Sequence, residues 1–256
     1  MNEASLELIC HEIASQLVDA GRVLFITGAG VSADSGLPTY RGVSGLYNSE
    51  TTEDGLPIEE AMSGGCFAEH PEITWKYLAQ IQHNCEGVKP NAAHYVIAEL
   101  EKRVEVVVLT QNVDGLHTAA GSTNVIEIHG TLRERFCPKC GTEARADDPE
   151  VPPRCAVCGA IVRPKVVLFN EVLPEAALQR FTEECQRGFG MVFIVGTSAV
   201  FPYIVEPVIQ ALDAGVMTVE INPAITQLSN HVDCHIPVGA ADTLACLYEA
   251  VFEGEE

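Results

Sequence analysis

Long apolar runs and basic residues are scarce in this chain. No stretch approaches eighteen consecutive apolar residues, roughly the length that a membrane-spanning helix needs. The start, Met1–Ser5, lacks the basic-then-apolar order of a secretory leader. Only 15 residues are Lys or Arg against 36 Asp or Glu, so the net charge of −21 argues against a general nucleic-acid binder. We therefore expect a cytoplasmic protein with no membrane partner and no direct nucleic-acid partner. The acidic surface suits lysine-bearing protein segments, or serves solubility alone.

The ten cysteines do not have the spacing of a disulfide-rich protein. Six are scattered through apolar or helical contexts, as free thiols in a reducing compartment would be. The other four form two Cys-x2-Cys pairs fourteen residues apart, each followed by a glycine that permits a tight turn: Cys137 and Cys140, then Cys155 and Cys158. Four thiolates can enclose one tetrahedral Zn²⁺ and leave no open position, which predicts a structural zinc site. Redox pairing is the alternative, and two pairs in one loop-rich segment argue against it.

Short apolar runs alternate with helical stretches along most of the chain. The strand-like runs are 23–26, 105–109, 125–128, 192–195 and 217–221, and the helical stretches include 5–20, 91–102, 174–187 and 204–214. This alternation predicts an α/β fold with a parallel sheet and helices on both faces.

Two segments interrupt the alternation. Residues 38–90 begin as loop and become helical near 71–83, whereas residues 134–163 are rich in Cys, Pro and Gly. We predict that these insertions build a small domain containing the zinc site. The main domain would then comprise 1–37, 91–133 and 164–256.

A glycine-rich turn follows the first strand. Gly28, Gly30 and Ala33 have the G-x-G-x-x-A spacing with which a strand, a tight turn and a helix N-terminus hold a pyrophosphate. Small residues at this point also serve plain helix–sheet packing. An ordinary dinucleotide-binding unit continues into a second strand ending in an acidic residue, but residues 42–56 have the composition of a loop. The chain therefore binds a dinucleotide by another arrangement, or not at all.

Polar side chains follow four predicted strands. Gln111, Asn112 and Asp114 follow the second strand, and His129 follows the third. Because ligands bind at the carboxyl ends of parallel strands, these residues are candidates for a site, with His129 as general base. Helix capping and a satisfied core histidine are the alternatives. The later strands end in Thr197-Ser198 and Asn222, which can bind ribose and adenine or cap the next helix.

Taken together, these segments resemble the sirtuins, the NAD-dependent protein lysine deacylases. The motifs are collinear from about residue 20 to 250: Gly28–Ser32 through Arg41, Gln111–Asp114, His129–Gly130, the two Cys-x2-Cys pairs, Val166–Glu171, Gly196–Ser198 and Asn222. The resemblance implies a Rossmann-like NAD-binding domain, a small zinc domain, and a cleft where NAD meets an acyl-lysine protein or peptide. It implies acyl transfer, most often of acetyl, from lysine to ADP-ribose with release of nicotinamide.

The resemblance also implies roles for single residues. His129 would be the general base, and Asn112 would orient the ribose. The residues implied to bind NAD are Gly28, Ala29, Gly30, Ser32, Thr39, Tyr40, Arg41, Gln111, Asn112, Asp114, Gly196, Thr197, Ser198, Asn222 and the backbone near Ala241. Those implied to pair with the substrate as an added strand are Val113, Val167, Phe169 and Asn170.

Several positions depart from the common sirtuin pattern. A threonine at position 39 resembles the sirtuin branch that removes succinyl and malonyl groups. Enzymes of that branch bind the acyl carboxylate with a Tyr and an Arg on the next helix. Those two positions hold Leu78 and Ile81 here. An apolar pair cannot neutralise a carboxylate, so we expect acetyl or longer apolar acyl groups to be preferred over succinyl. Tyr40 and Asn170 replace the usual phenylalanine and glycine.

Two other functions are compatible with this resemblance. One is mono-ADP-ribosyl transfer to protein, and the other is inactive binding of NAD or ADP-ribose. Branches specialised for the transfer tend to lack the catalytic histidine, and a pure binder has no need of a base. The presence of His129 therefore favours deacylation.

Overall fold

The computed structural model describes residues 1–39, 51–144 and 151–252. Its helices are α1 (Glu3–Ala20), α2 (Ile58–Ala61), α3 (Gly64–Glu69), α4 (Pro71–Cys85), α5 (Ala92–Leu100), α6 (Leu116–Ala120), α7 (Glu175–Gln186), α8 (Pro202–Asp213) and α9 (Ala240–Phe252). Its strands are β1 (Arg22–Thr27), β2 (Glu105–Thr110), β3 (Val125–Glu127), β4 (Gly130–Phe136), β5 (Glu143–Ala144), β6 (Arg163–Val166), β7 (Met191–Val195), β8 (Met217–Ile221) and β9 (Cys234–Ile236). None of the described helices is long and apolar enough to cross a bilayer.

Six strands form one parallel sheet in the order β3-β2-β1-β7-β8-β9. After β1 the chain adds β2 and then β3 on one side of β1. It then returns to form β7 on the other side of β1, followed by β8 and β9. The crevice between the carboxyl ends of β1 and β7 is therefore the point where the strand order reverses, which is where ligands bind in open α/β sheets. The predicted parallel sheet is confirmed, with β9 as an additional edge strand.

The sheet is covered on both faces. Side chains alternate along β1, so Val23 and Phe25 pack in one apolar cluster with α1, α5 and α9, whereas Leu24 and Ile26 pack in a second cluster with α7 and α8. Phe25 stacks on Phe193 of β7 with ring centroids 4.6 Å apart. Burial on both faces explains why these strands are continuously apolar.

The two insertions pack on each other. Strands β5-β4-β6 form a small antiparallel sheet, and α2–α4 share an apolar cluster with Leu132 and Val166 of that sheet. Trp75 of α4 is 1% exposed and donates its indole N–H to the carbonyl of Val162 at 2.7 Å. The division into two domains at the boundaries given above stays a prediction.

Candidate active site

The glycine turn brings β1 and β7 together at the crevice. The N–H of Gly30 donates to the carbonyl of Gly196 at 2.8 Å, and the N–H of Gly28 donates to that of Val195 at 3.0 Å. A Cβ added at Gly30 would lie 2.6 Å from the Cα of Gly196, so a side chain there would force the strand ends apart. The helix that the motif predicted after the turn is a 3₁₀ helix, Ala29–Ser35.

Ser32, Asn112 and Asp114 form one hydrogen-bond network over this turn. The Asn112 Nδ2 group donates to the Gly28 carbonyl and to Ser32 Oγ, both at 3.1 Å. Ser32 Oγ in turn donates to Asp114 Oδ2 at 2.8 Å. Asp114 also accepts the N–H of Leu116 at 2.9 Å, so it both caps α6 and belongs to the network. The capping contact is therefore present, and the functional interpretation of this segment stays a prediction.

Hydrogen bonds connect the carboxyl ends of β2, β7 and β8. Gln111 Nε2 donates to Thr197 Oγ1 at 2.7 Å, and Asn222 Nδ2 donates to the Thr197 carbonyl at 2.8 Å. Thr197 and Asn222 are buried, whereas Ser198 is exposed. Residues 111, 197 and 222 thus lie at one sheet edge, as their positions after strands predicted.

His129 lies just beyond β3 and is held at both ring nitrogens. Its Nδ1 is 2.9 Å from the carbonyl of Gln111, and its Nε2 is 2.6 Å from the hydroxyl of Tyr203. Burial lowers the pKa of His129 below its ordinary value, and the Gln111 carbonyl opposes this effect. The imidazole is therefore neutral near pH 7, as a general base must be.

Two further histidines lie buried beneath the network, and the sequence argument missed both. His117 Nε2 is 2.9 Å from Thr27 Oγ1, and its ring centroid is 4.9 Å from that of His94. His94 Nε2 lies 3.5 Å from Ser32 Oγ. Burial lowers the pKa of His94 to about 4 and that of His117 to about 3, so both support the site as neutral groups. No local pattern distinguishes them from surface histidines in the sequence.

An open pocket lies beside the network. Its walls combine polar residues of the crevice with apolar residues of α4: Ala29, Ser32, Leu37, Pro38, Ile81, Asn84, Cys85, Asn112, Val113 and Asp114. Ile81 reaches this wall, whereas Leu78 is 1% exposed and lies in the core of the helical insertion. One of the two apolar positions singled out from the sequence therefore lines the pocket.

The predicted peptide-pairing segment follows β6. The N–H of Val167 donates to the His129 carbonyl at 2.9 Å, and Phe169 exchanges hydrogen bonds with Met62 and Gly64. Asn170 is exposed with φ 65°, in the left-handed region that Asn tolerates better than most residues. Val113 lies nearby in the pocket wall. The segment thus connects the His129 backbone to the helical insertion.

The remaining residues predicted to contact NAD are Thr39, Tyr40, Arg41 and Ala241. Ala241 lies in the first turn of α9, and its N–H donates to Asp34 of the 3₁₀ helix at 3.2 Å. Thr39 is half-buried at the end of a described segment. Tyr40 and Arg41 lie outside the described residues.

The four predicted zinc ligands converge. Their sulfur atoms all lie within 4.8 Å of one another, with Cys137 and Cys158 3.5 Å apart and Cys140 and Cys155 3.6 Å apart. Thiolates about 2.3 Å from a tetrahedral Zn²⁺ lie about 3.8 Å apart, so the cluster fits that ion. Gly141 and Gly159 follow each pair with φ of 73° and 71°, and their N–H groups donate to the carbonyls of Cys137 and Cys155. The predicted turns are confirmed.

Comparison with known proteins gives a consistent result. A family model described as "Sir2 family" matches residues 28–202. The chain belongs to the Sir2 family. Relatives include "NAD-dependent protein deacylase 2" of Pseudomonas aeruginosa, 50% identical over 91% of this chain and 93% of that protein. A protein of the same name from Pseudomonas syringae pv. tomato is 51% identical over 91% of this chain and 97% of its own length.

Solved Sir2 structures extend the likeness to the whole fold. A Sir2 homologue in complex with NAD has a TM-score of 0.84 and 35% identity, covering 94% of this chain and 93% of its own. A complex of Sir2, a p53 peptide and NAD⁺ has a TM-score of 0.80 and 27% identity, covering 93% of this chain and 96% of its own. The resemblance inferred from the motifs is thereby confirmed.

Proposed function

We propose that this Sir2 protein is an NAD-dependent protein lysine deacylase, with deacetylation as its main reaction and His129 as its general base. The observation that carries the proposal is the position of His129 beside the crevice network. Its neutral imidazole is fixed through Nδ1 by Gln111, a residue whose side chain also braces Thr197. A base held in one orientation next to a dinucleotide crevice is suited to take a proton from a ribose hydroxyl.

The chemistry of the crevice residues suits NAD. When bound, NAD supplies a ribose C1′ from which nicotinamide departs as a neutral leaving group. Gly28, Gly30 and Gly196 let the turn after β1 pack directly on the end of β7, and a glycine turn that follows a parallel strand is where a pyrophosphate would bind. Asn112 and Asp114 would orient the ribose and carboxamide, since side chains held by hydrogen bonds are pre-organised.

The remaining predicted contacts follow from the same arrangement. We infer that Ala29, Ser32, Thr39, Tyr40 and Arg41 complete the nicotinamide and phosphate side, and that Thr197, Ser198, Asn222 and the backbone near Ala241 hold the adenosine half. An acyl-lysine peptide would add as a strand along Val167, Phe169 and Asn170, with Val113 near the acyl-lysine. The peptide in the related Sir2–p53 complex supports this class of substrate.

The test is to incubate the protein with NAD and an acetyl-lysine peptide and to follow nicotinamide and O-acetyl-ADP-ribose by mass spectrometry. We expect both products, and a loss of about 100-fold or more in turnover in His129→Ala, because a general base contributes at least that much. His83→Ala is the matched control, since its side chain is 81% exposed. ADP-ribose attached to protein without deacylated peptide would instead favour a transferase. Absence of NAD turnover would leave a binding protein or an acyl group other than acetyl, which a panel of longer acyl-lysine peptides separates.

A further inference from the structure

The proton-accepting nitrogen of His129 is already occupied by a hydroxyl of this chain. Tyr203, 74 residues away in the sequence, places its Oη 2.6 Å from Nε2. Tyr203 lies in the first turn of α8, just after the exposed Phe201. The two rings stack with centroids 5.3 Å apart, and Phe201 meets the imidazole edge-on at 6.0 Å. The contact is thus one side of a small aromatic enclosure around the base.

The direction of this hydrogen bond follows from the other ring nitrogen. A backbone carbonyl only accepts, so Nδ1 of His129 must donate to Gln111. In the neutral imidazole Nε2 then carries the lone pair, and the Tyr203 hydroxyl donates to it. Burial raises the pKa of Tyr203 to about 12, so the phenol keeps its proton throughout the neutral range.

We propose that Tyr203 is a positioning residue for His129, whose hydroxyl holds Nε2 in the ligand-free protein and yields that nitrogen to a ribose hydroxyl when NAD binds. The inference rests on the proposed function. Nε2 has one lone pair in the ring plane, so it accepts from one hydroxyl at a time. The Tyr203 phenol and the ribose hydroxyl both donate an O–H group. The phenol therefore holds the His129 imidazole in the tautomer and ring orientation that the ribose hydroxyl requires.

The segment that carries Tyr203 is built so that it can yield. Val200 and Phe201 are 49% and 36% exposed, and Ala199 adopts φ 51°, a left-handed conformation that is costly for alanine. The phenol is only half-buried. A small shift of the start of α8 is therefore enough to part the 2.6 Å contact.

The contact also acts on the titration of the base. Within the described residues, Gln111, Phe201 and Tyr203 face the imidazole, and Tyr203 is the titratable one among them. A hydrogen bond donated to Nε2 stabilises the neutral imidazole. Without this hydrogen bond the neutral imidazole loses that stabilisation and Nε2 binds a proton more readily. The pKa of His129 therefore rises.

The experiment compares Tyr203→Phe, which keeps the ring but loses the hydroxyl, with Phe201→Leu, which disrupts the stack but keeps the hydroxyl. ¹⁵N NMR of the ligand-free protein reports the tautomer and pKa of each of the eight histidines, and His129→Ala assigns the signal. We expect an Nδ1–H tautomer in the wild type, an upward shift of the His129 pKa in Tyr203→Phe, and a much smaller shift in Phe201→Leu.

Kinetics supply the second readout. Above the acid limb of the pH profile, we expect Tyr203→Phe to lower the KM for NAD by about three- to tenfold, the value of one hydrogen bond no longer displaced, with a smaller change in kcat. The acid limb itself should move to higher pH. An unchanged His129 pKa, a raised KM, or equal effects of both variants would overturn the inference. If the wild type does not turn over NAD, the proposed function fails, while the NMR comparison still decides whether Tyr203 holds the base.

Discussion

The six-stranded and three-stranded sheets of this protein are held together by different forces. In the large sheet, β1, β2 and β7 are almost wholly buried between two apolar clusters. The far end of the small sheet has an apolar cluster whose buried members are Cys137, Cys155 and Val162. Its Lys165 pairs with Glu134 and Glu143 are exposed or nearly so, and such pairs contribute little to stability. Arg163 of β6, with a side chain only 7% exposed, pairs with Glu171 at 2.6 Å, so a charged contact and not an apolar one occupies this part of the sheet.

This difference in stabilising contacts indicates that the two sheets have separate roles. Apolar burial fixes the large sheet, so polar side chains at its strand ends can be held in one arrangement without contributing to the core. The zinc region has a smaller apolar cluster, so we expect a bound metal to supply part of its folding free energy. Because β4 begins directly after His129, the metal region and the base share one stretch of chain.

Removal of the metal tests this contrast most strongly. We expect Cys140→Ser to lose the zinc and to abolish hydrogen-exchange protection in residues 137–144 and 151–162. Amides of β1, β2 and β7 should keep their protection, because their strands are buried independently of the metal. The measurements are zinc content and hydrogen exchange by mass spectrometry, with Cys66→Ser, a thiol outside the cluster, as control. Protection lost equally in both sheets would show that the two regions fold as one unit.

The open pocket beside the network lies at the boundary between the two regions, and we propose that it receives the acyl group. Ile81 of the helical insertion lines the pocket beside Asn112 and Val113, so a succinyl carboxylate would meet an apolar wall. We expect kcat/KM for acetyl-lysine to exceed that for succinyl-lysine by at least about tenfold, since a buried unpaired charge costs several kcal/mol.

A charge at that wall should reverse the preference in part. Ile81→Arg should raise succinyl turnover relative to acetyl turnover, whereas Gln80→Arg, on the exposed face of the same helix, should not. Faster wild-type turnover of the succinyl peptide would refute this account of the pocket.

The large sheet was predictable from the sequence because its strands are buried on both faces and therefore stand out as apolar runs. The small sheet was not, since β4 carries Arg133, Glu134 and Arg135 and has no clear alternation. Strand β9 has three residues, too few to show a period. The cysteine spacing nevertheless located the metal cluster, because the two ligands of each pair lie close together in the sequence.

The site was predictable to the extent that it lies at strand ends. Asn112, Asp114 and His129 follow strands directly, and topology brings them together. Contacts that depend on packing were not predictable: Tyr203 meets His129 across 74 residues, and His94 and His117 meet through α5 and α6. Two aromatic residues, Phe201 and Tyr203, follow Gly196-Thr197-Ser198 in the sequence. They were the available sign that this loop does more than begin a helix.

The buried histidines predict a specific pH dependence for the large region. His94 and His117 have pKa values lowered by burial to about 4 and about 3, from an ordinary value of 6.5. The unfolded chain therefore takes up protons below pH 6.5 that the folded chain does not, so the stability present above pH 6.5 is lost as the pH falls toward 4.

A neutral replacement isolates the part due to one histidine. His94→Gln should reduce the loss of unfolding free energy between pH 6.5 and pH 4 by up to about 3 kcal/mol, measured by urea denaturation across that range. His70→Gln, with a side chain 61% exposed, should leave the slope unchanged. An identical slope in His94→Gln would mean that His94 is protonated in the folded protein.

The smallest effect concerns Ala199, in the loop that leads from β7 to Tyr203. Alanine at φ 51° carries a left-handed cost of about 1–2 kcal/mol, which glycine would relieve. Glycine would also lose a buried methyl group worth about 0.8 kcal/mol and gain about 0.4–1 kcal/mol of unfolded-state entropy. These terms nearly cancel, so Ala199→Gly should change the unfolding free energy by less than about 1 kcal/mol.

Ala14→Gly is the matched control, since Ala14 is buried within α1 at 5% exposure and has no such strain to lose. Thermal or urea denaturation should show Ala14→Gly to be more destabilising by at least about 1 kcal/mol. Equal losses would mean that Ala199 is not strained, and that the loop holding Tyr203 against His129 stores no free energy toward its release.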